Sequence, residues 1–152
     1  METTWIIRQM AEEDVAAVAA LEAESFSRPW SHDAFYKTLS DDNYIVLVLK
    51  EAETLLGYCV LLCTGGEADI TNVCTCPATR GKGVATALLS ALVTAGQARG
   101  VTDFFLEVRE GNAPARRLYE KMGFEVIGLR KNYYKEPKEN AVLMKYEAEN
   151  AG

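Results

Sequence analysis

Three parts of this chain have the residue types and spacing to do chemistry: Glu107, Tyr119 and a glycine-rich turn at residues 80–85. Glu107 follows the apolar run F-F-L and shares a strand face with Phe105, so it is expected to lose water. Desolvation favours a neutral carboxyl, and a carboxylate tuned upward is a usable general base. The plainer alternative is a strand-end glutamate reaching solvent, because glutamate is seldom buried. Tyr119 sits with Ala115, Leu118 and Met122 on an i, i+3, i+4, i+7 face, which turns its ring inward. There it either packs the core or donates a proton. Asn112 is well placed to cap the same helix.

The third part belongs to the stretch N-V-C-T-C-P-A-T-R-G-K-G-V-A, residues 72–85. A Val-, Thr- and Cys-rich strand cannot run on through Pro77, which lacks a ladder donor. Gly81 and Gly83 then stand at the mouth of an apolar helix, whose first N–H groups lack intrahelical partners and sit at the positive end of its dipole. That arrangement suits a phosphate. It is neither the Walker loop nor the dinucleotide fingerprint, and read alone it could be a solvated turn.

Elements to position these residues are legible along the chain. A short strand at residues 5–8 precedes a helix with Val15, Val18, Leu21, Glu22 and Ser25 on one repeat, and Ser31 is the expected N-cap of a second short helix through Phe35 and Leu39. Residues 44–50 and 55–63 read as a hairpin and residues 68–76 as a third strand, with apolar runs dense enough for strands covered on both faces. Val84, Leu88, Leu89 and Leu92 form the apolar face of the next helix, stopped near Gly100. A strand at residues 102–108, a helix stopped at Gly123, and strands at residues 125–129 and 141–146 complete the chain, the last two joined by a polar linker containing Pro137. The order β-α-α-β-β-β-α-β-α-β-β predicts a mixed α/β (α+β) sheet of about seven strands flanked by about four helices. Residues 1–148 are expected to be one domain, with a short tail at 149–152.

Composition narrows the functional classes. With 49% apolar and 25% charged residues the chain has the balance of an ordinary globular domain. Its formal net charge of -6 argues against a nucleic-acid partner. No apolar run approaches a membrane span and the N-terminus lacks a leader pattern, so no membrane partner and a cytoplasmic location are expected. Cys59, Cys63, Cys74 and Cys76 match no common zinc spacing, and His32 is the single histidine. Reduced, buried thiols and no metal are the expectation.

The pattern R-x-x-G-x-A at residues 80–85 resembles motif A of the GCN5-related N-acetyltransferases (GNAT), and L-E-V-R-E-x-N-x-x-A-x-x-L-Y-E-K-M-G-F at residues 106–124 is similar to the second half of that family's core. More narrowly, I-x-x-M-x-x-x-D, E-x-x-S-F-x-x-P-W-S and R-K-N-Y-Y look like the RimI-type ribosomal-protein alanine N-acetyltransferases, so the likeness spans nearly the whole chain. It implies the GNAT fold and acetyl-coenzyme A as co-substrate. It also implies Glu107 as general base, Tyr119 as general acid, and backbone amides of Val73, Cys74 and Thr75 holding the pantetheine arm. Arg80, Gly81, Lys82, Gly83, Val84 and Ala85 would take the pyrophosphate, Asn112 would touch the cofactor arm, and Trp30, Tyr133 and Tyr134 would line the acceptor groove. The implied reaction is direct attack of an amine on the thioester, with the N-terminal alanine of the eighteenth small-subunit ribosomal protein as acceptor. A small-molecule amine or an internal lysine is the alternative acceptor, and an acetyl-coenzyme A binding assembly module the alternative of another class. Asn140 stands where an aspartate is usual in that branch, and Thr75-Cys76 replaces commoner small residues or valine.

Overall fold

The computed structural model of the chain describes residues 4–148, so the expected tail at 149–152 lies outside the described residues. The elements are β1 (Trp5–Gln9), α1 (Val15–Ser25, entered through a 3-10 turn at Glu12–Asp14), α2 (His32–Thr38), β2 (Tyr44–Glu51), β3 (Thr54–Thr64), β4 (Glu67–Thr75), α3 (Val84–Ala98), β5 (Asp103–Arg109), α4 (Ala113–Lys121), β6 (Glu125–Lys135) and β7 (Lys138–Glu147). This is the expected order. The strands make one seven-stranded sheet in the order β1-β2-β3-β4-β5-β7-β6. Every neighbouring pair is antiparallel except β4 and β5. Among the described residues no helix is long and apolar enough to cross a membrane.

Strand alternation divides the core into two layers. Leu47, Leu49, Leu61, Phe104 and Met144 pack with Leu88, Leu89 and Leu92 of α3 and with Tyr119 of α4. Val46, Val48, Tyr58 and Val60 face the other way, against Val15, Val18 and Leu21 of α1 and Phe35 of α2. That double cover explains the unbroken apolar runs of β2 and β3. Gly57 lets α3 settle against the sheet: a Cβ there would lie 2.8 Å from the Cys74 carbonyl oxygen and 3.0 Å from Val84. Ser31 caps α2, its Oγ accepting from the Ala34 N–H at 3.1 Å.

Where β1 meets α1, Asp14 is almost wholly buried and accepts from Arg8, from the Ala11 N–H at 2.8 Å and from Lys50 Nζ at 3.2 Å. Burial works against its charge, but these donors outweigh it and hold the carboxyl at about 2.

The chain departs from expectation after Leu129. Instead of a polar linker, β6 continues to Lys135 and turns tightly into β7, with Tyr134 opposite Glu139. The polar run K-N-Y-Y-K hides this, yet an edge strand tolerates such residues because one side of it faces water. Arg109 fastens the turn, donating to the Pro137 carbonyl at 2.9 Å and the Glu136 carbonyl at 3.1 Å while lying 4.2 Å over the Tyr134 ring. Asn132 has a left-handed φ of 55° in the bulge between Arg130 and Tyr134. Its N–H donates to Asn140 Oδ1 at 2.8 Å, while Asn140 Nδ2 donates to Glu110 Oε1 at 3.2 Å. An aspartate at 140 would set two carboxylates face to face.

Candidate active site

The parallel pairing of β4 and β5 ends at Ile70 opposite Leu106. In β4, Thr71 is an extra residue: Leu61 of β3 pairs with Ile70 and Val60 with Asn72. A bulge bends its strand and breaks the ladder, so the two strands part beyond it. Backbone groups of β4 past the bulge are bonded to β3 on one side only, leaving the other side open to a ligand. Between the parted strands runs a cavity of about 750 Å³, walled by Asn72 and Val73 of β4, Glu107 and Arg109 of β5, Tyr119 of α4, the α1–α2 connection and the β6–β7 hairpin.

Of the residues singled out in the sequence, this cavity gathers Glu107, Tyr119, Asn112, Val73, Trp30, Tyr133 and Tyr134. Cys74, Thr75, Arg80, Gly81, Lys82, Gly83, Val84 and Ala85 are not part of its wall. They continue from it along the end of β4 into α3.

Glu107 sits on the β5 lip, 3.8 Å from Arg130, with its side chain 31% exposed. The desolvation expected from its apolar neighbours is therefore not what the fold provides. Phe104, Leu106 and Val108 point into the core, while Glu107 faces the gap that the splay opens. Tyr119 is 8% exposed, and burial, with smaller contributions from Tyr134 and Cys59, pushes its phenol up to about 12. Its hydroxyl makes no hydrogen bond to another described residue. It is thus a protonated donor at neutral pH.

Two other tyrosines, Tyr133 and Tyr134, lie near the Glu107 carboxylate. The Tyr133 phenol is raised first by the neighbouring Glu107 carboxylate and then by burial, with Arg130 opposing. Tyr134 is pushed up to about 12 by burial and by the Glu107 charge, with Arg109 opposing. Trp30 packs its ring 5.2 Å from Phe35 and 6.1 Å, edge on, from Tyr44. Asn112 caps α4, its Oδ1 accepting from the Ala115 N–H at 3.3 Å.

Sequence reasoning passed over a polar cluster in the wall. Glu22 is buried on α1 and accepts from the Tyr58 hydroxyl, from Asn72 Nδ2 at 3.2 and 3.1 Å, and from the Trp30 backbone N–H at 2.9 Å. The available signal was a glutamate on the apolar repeat of Val15, Val18 and Leu21. A charge there needs partners.

At the mouth of α3, Gly81 and Gly83 have φ of 80° and 90°. The first intrahelical bond runs from the Ala87 N–H to the Gly83 carbonyl, so the amides of Val84, Ala85 and Thr86 are free to meet a ligand. A Cβ at either glycine would meet nothing within 4 Å, so the turn is open to an approaching phosphate. Fifteen residues of helix stand behind it.

Known proteins carry this architecture. Residues 15–124 match the model of the Acetyltransferase (GNAT) family. A Bacillus subtilis protein is 37% identical over 145 residues, covering 95% of this chain and 96% of its own. The [Ribosomal protein bS18]-alanine N-acetyltransferase of Haemophilus influenzae is 35% identical over 142 residues, 91% of this chain and 96% of that one. The crystal structure of the ribosomal-protein-S18-alanine N-acetyltransferase from Escherichia coli superposes with a TM-score of 0.89 at 28% identity, covering 98% of this chain and 97% of that one.

The chain belongs to the GNAT family and has its fold. It is an acetyltransferase whose acetyl donor is acetyl-coenzyme A.

Proposed function

We propose that this acetyltransferase modifies the α-amine of a protein N-terminus, the N-terminal alanine of ribosomal protein bS18, in the cytoplasm. The observation that carries this reading is the near full-length likeness, at 33% and 35% identity, to relatives named for that activity. The site's chemistry agrees with it. An α-amine of pKa near 8 is about one-tenth neutral at pH 7, whereas lysine at about 10.4 is neutral in roughly one of a few thousand molecules. A glutamate with 31% of its side chain exposed suits the less demanding acceptor.

Glu107 takes the proton of the attacking amine and Tyr119 returns one to the departing thiolate sulfur of coenzyme A. Asn112 and the amides of Val73, Cys74 and Thr75 hold the pantetheine arm. Arg80, Gly81, Lys82, Gly83, Val84 and Ala85 hold the pyrophosphate. Trp30, Tyr133 and Tyr134 flank the acceptor chain as it enters between the α1–α2 connection and the β6–β7 hairpin. Positioning carries most of the acceleration, with effective molarities of about 10⁵ to 10⁸ M, and acid–base assistance adds roughly 10² to 10⁴.

Incubation with acetyl-coenzyme A and a library of N-terminal peptides, including acceptors with a blocked N-terminus and an internal lysine, tests the assignment. Acetylation confined to free alanine-type N-termini supports it. Preferential modification of lysine or of small amines overturns it.

A further inference from the structure

We infer that Asn72 is a direct contact of the acceptor, its side-chain carbonyl receiving an N–H of the attacking amine, and that Glu22 is the residue that orients it. This deepens the reading of the cavity as the place of acetyl transfer to an amine and rests on it.

The orientation of the Asn72 amide is not free. Its Nδ2 lies 3.2 and 3.1 Å from the two oxygens of Glu22. A carboxylate only accepts, so the NH₂ must face Glu22 and the carbonyl oxygen must turn away from it. The carboxylate is itself held by the Tyr58 hydroxyl and by the Trp30 N–H at 2.9 Å, so it cannot rotate to release the amide. Asn72 is 6% exposed, and its Oδ1 has no hydrogen-bond partner among the described residues. A buried carbonyl oxygen without a donor is costly, and a fold that builds four hydrogen bonds to hold it so implies a donor that arrives from elsewhere.

The position says which donor. Asn72 lines the cavity from the β4 lip, two residues beyond Ile70, and Glu107 lines it from the β5 lip, one residue beyond Leu106, the last pair joining the strands. Val73, the next residue of β4, begins the amide run assigned to the thioester arm. An amine approaching that arm enters between the two lips. A primary amine has a lone pair for the acyl carbon and two N–H groups to place, one toward Glu107 and one toward Asn72. Glu22 also tethers Trp30, so one carboxylate sets both the amide acceptor and a wall of the groove.

The test is a cycle of Asn72→Ala, Glu22→Gln and the double variant, read on whichever primary amine the wild type acetylates, with acetyl-coenzyme A affinity measured by calorimetry. That choice keeps the inference separable from the identity of the acceptor: a wild type that ignores alanine peptides but acetylates another amine sinks only the latter. Asn72→Ala is expected to lower kcat/KM by about 10- to 100-fold, the worth of one hydrogen bond to a polarised donor, with cofactor affinity unchanged. Glu22→Gln keeps the shape but offers an amide that lets Asn72 turn over, and is expected to lower kcat/KM about 3- to 10-fold. The double variant should be no worse than Asn72→Ala, because the glutamine oxygen still accepts from the Trp30 N–H and the remaining effect of Glu22→Gln passes through Asn72. An Asn72→Ala variant within about 2-fold of wild type overturns the inference. So does a loss matched by equal loss of cofactor affinity, or additive effects in the cycle. Should Asn72→Ala fail to fold, unchanged kcat/KM in Glu22→Gln overturns it alone.

Discussion

In the proposed reaction Tyr119 and Glu107 divide the proton work by their surroundings. The phenol, raised to about 12 by burial, holds its proton across the physiological range, whereas the carboxylate lies at a lip open to water. Tyr119→Phe is expected to lower kcat by roughly 10² with little change in acetyl-coenzyme A affinity, measured by steady-state kinetics and calorimetry. Unchanged kcat would remove it as the acid. The same shift fixes a pH dependence. Because the folded value lies above the ordinary 10.0, Tyr119 stays in its donor form, and its contribution to stability is lost only as pH rises from about 10 through about 12. An alkaline fall in rate below that window therefore belongs to another group. Much of this was legible in the sequence: the inward ring of Tyr119 follows from helical spacing alone. The openness of Glu107 was legible only as the plainer alternative of a strand-end glutamate reaching solvent, because strand alternation predicts which face a residue takes but not that the neighbouring strand has left. The Glu22 and Asn72 pairing was not legible, because it joins residues 50 apart in the chain.

Two junctions set the elements around the site. Gly57 allows α3 to approach the sheet, and with it the phosphate turn at that helix's N-terminus. Gly57→Ala would drive a Cβ to 2.8 Å from the Cys74 carbonyl and 3.1 Å from Leu88. A loss of about 1–3 kcal/mol in stability is expected, with weaker acetyl-coenzyme A binding as the helix start shifts; denaturant melts and calorimetry check it. At the other end, Asp14 ties β1, α1 and β2 through Arg8, Ala11 and Lys50. Its carboxyl is lowered from 3.8 to about 2, so its stabilisation is present above about pH 4 and is lost as pH falls toward 2. Asp14→Ala is expected to cost about 3–5 kcal/mol at neutral pH and to flatten the acid limb of the stability curve. A limb of unchanged steepness would show that other carboxylates govern acid unfolding. The order of elements was readable because β2, β3 and α3 carry strong periodic signals. The β6–β7 hairpin was missed because its support, Arg109 reaching the Glu136 and Pro137 carbonyls, comes from a strand 27 residues earlier and leaves no local pattern.

At the scale of the molecule, one irregularity organises the function. The bulge at Thr71 parts the single parallel pair of an otherwise antiparallel sheet and opens a gap between the end of β4, which leads into α3, and the α1–α2 connection. In the proposed reaction the acetyl donor enters from the first side and the acceptor from the second. Glycines, a bulge and a tight hairpin shape the opening, while the two apolar layers make it rigid enough to orient two substrates. The proposed acceptor rests on the relatives named for that activity and on the ease of neutralising an α-amine. The central claim is that an N-terminal alanine amine is the acceptor. It is tested most directly by incubating the purified protein with acetyl-coenzyme A and the N-terminal peptide of bS18, then locating the modification by fragmentation mass spectrometry. One acetyl group on the α-amine of the first alanine, sharply reduced with Tyr119→Phe, is the predicted result. An unmodified peptide, or an acetyl group found only on side chains, would contradict it.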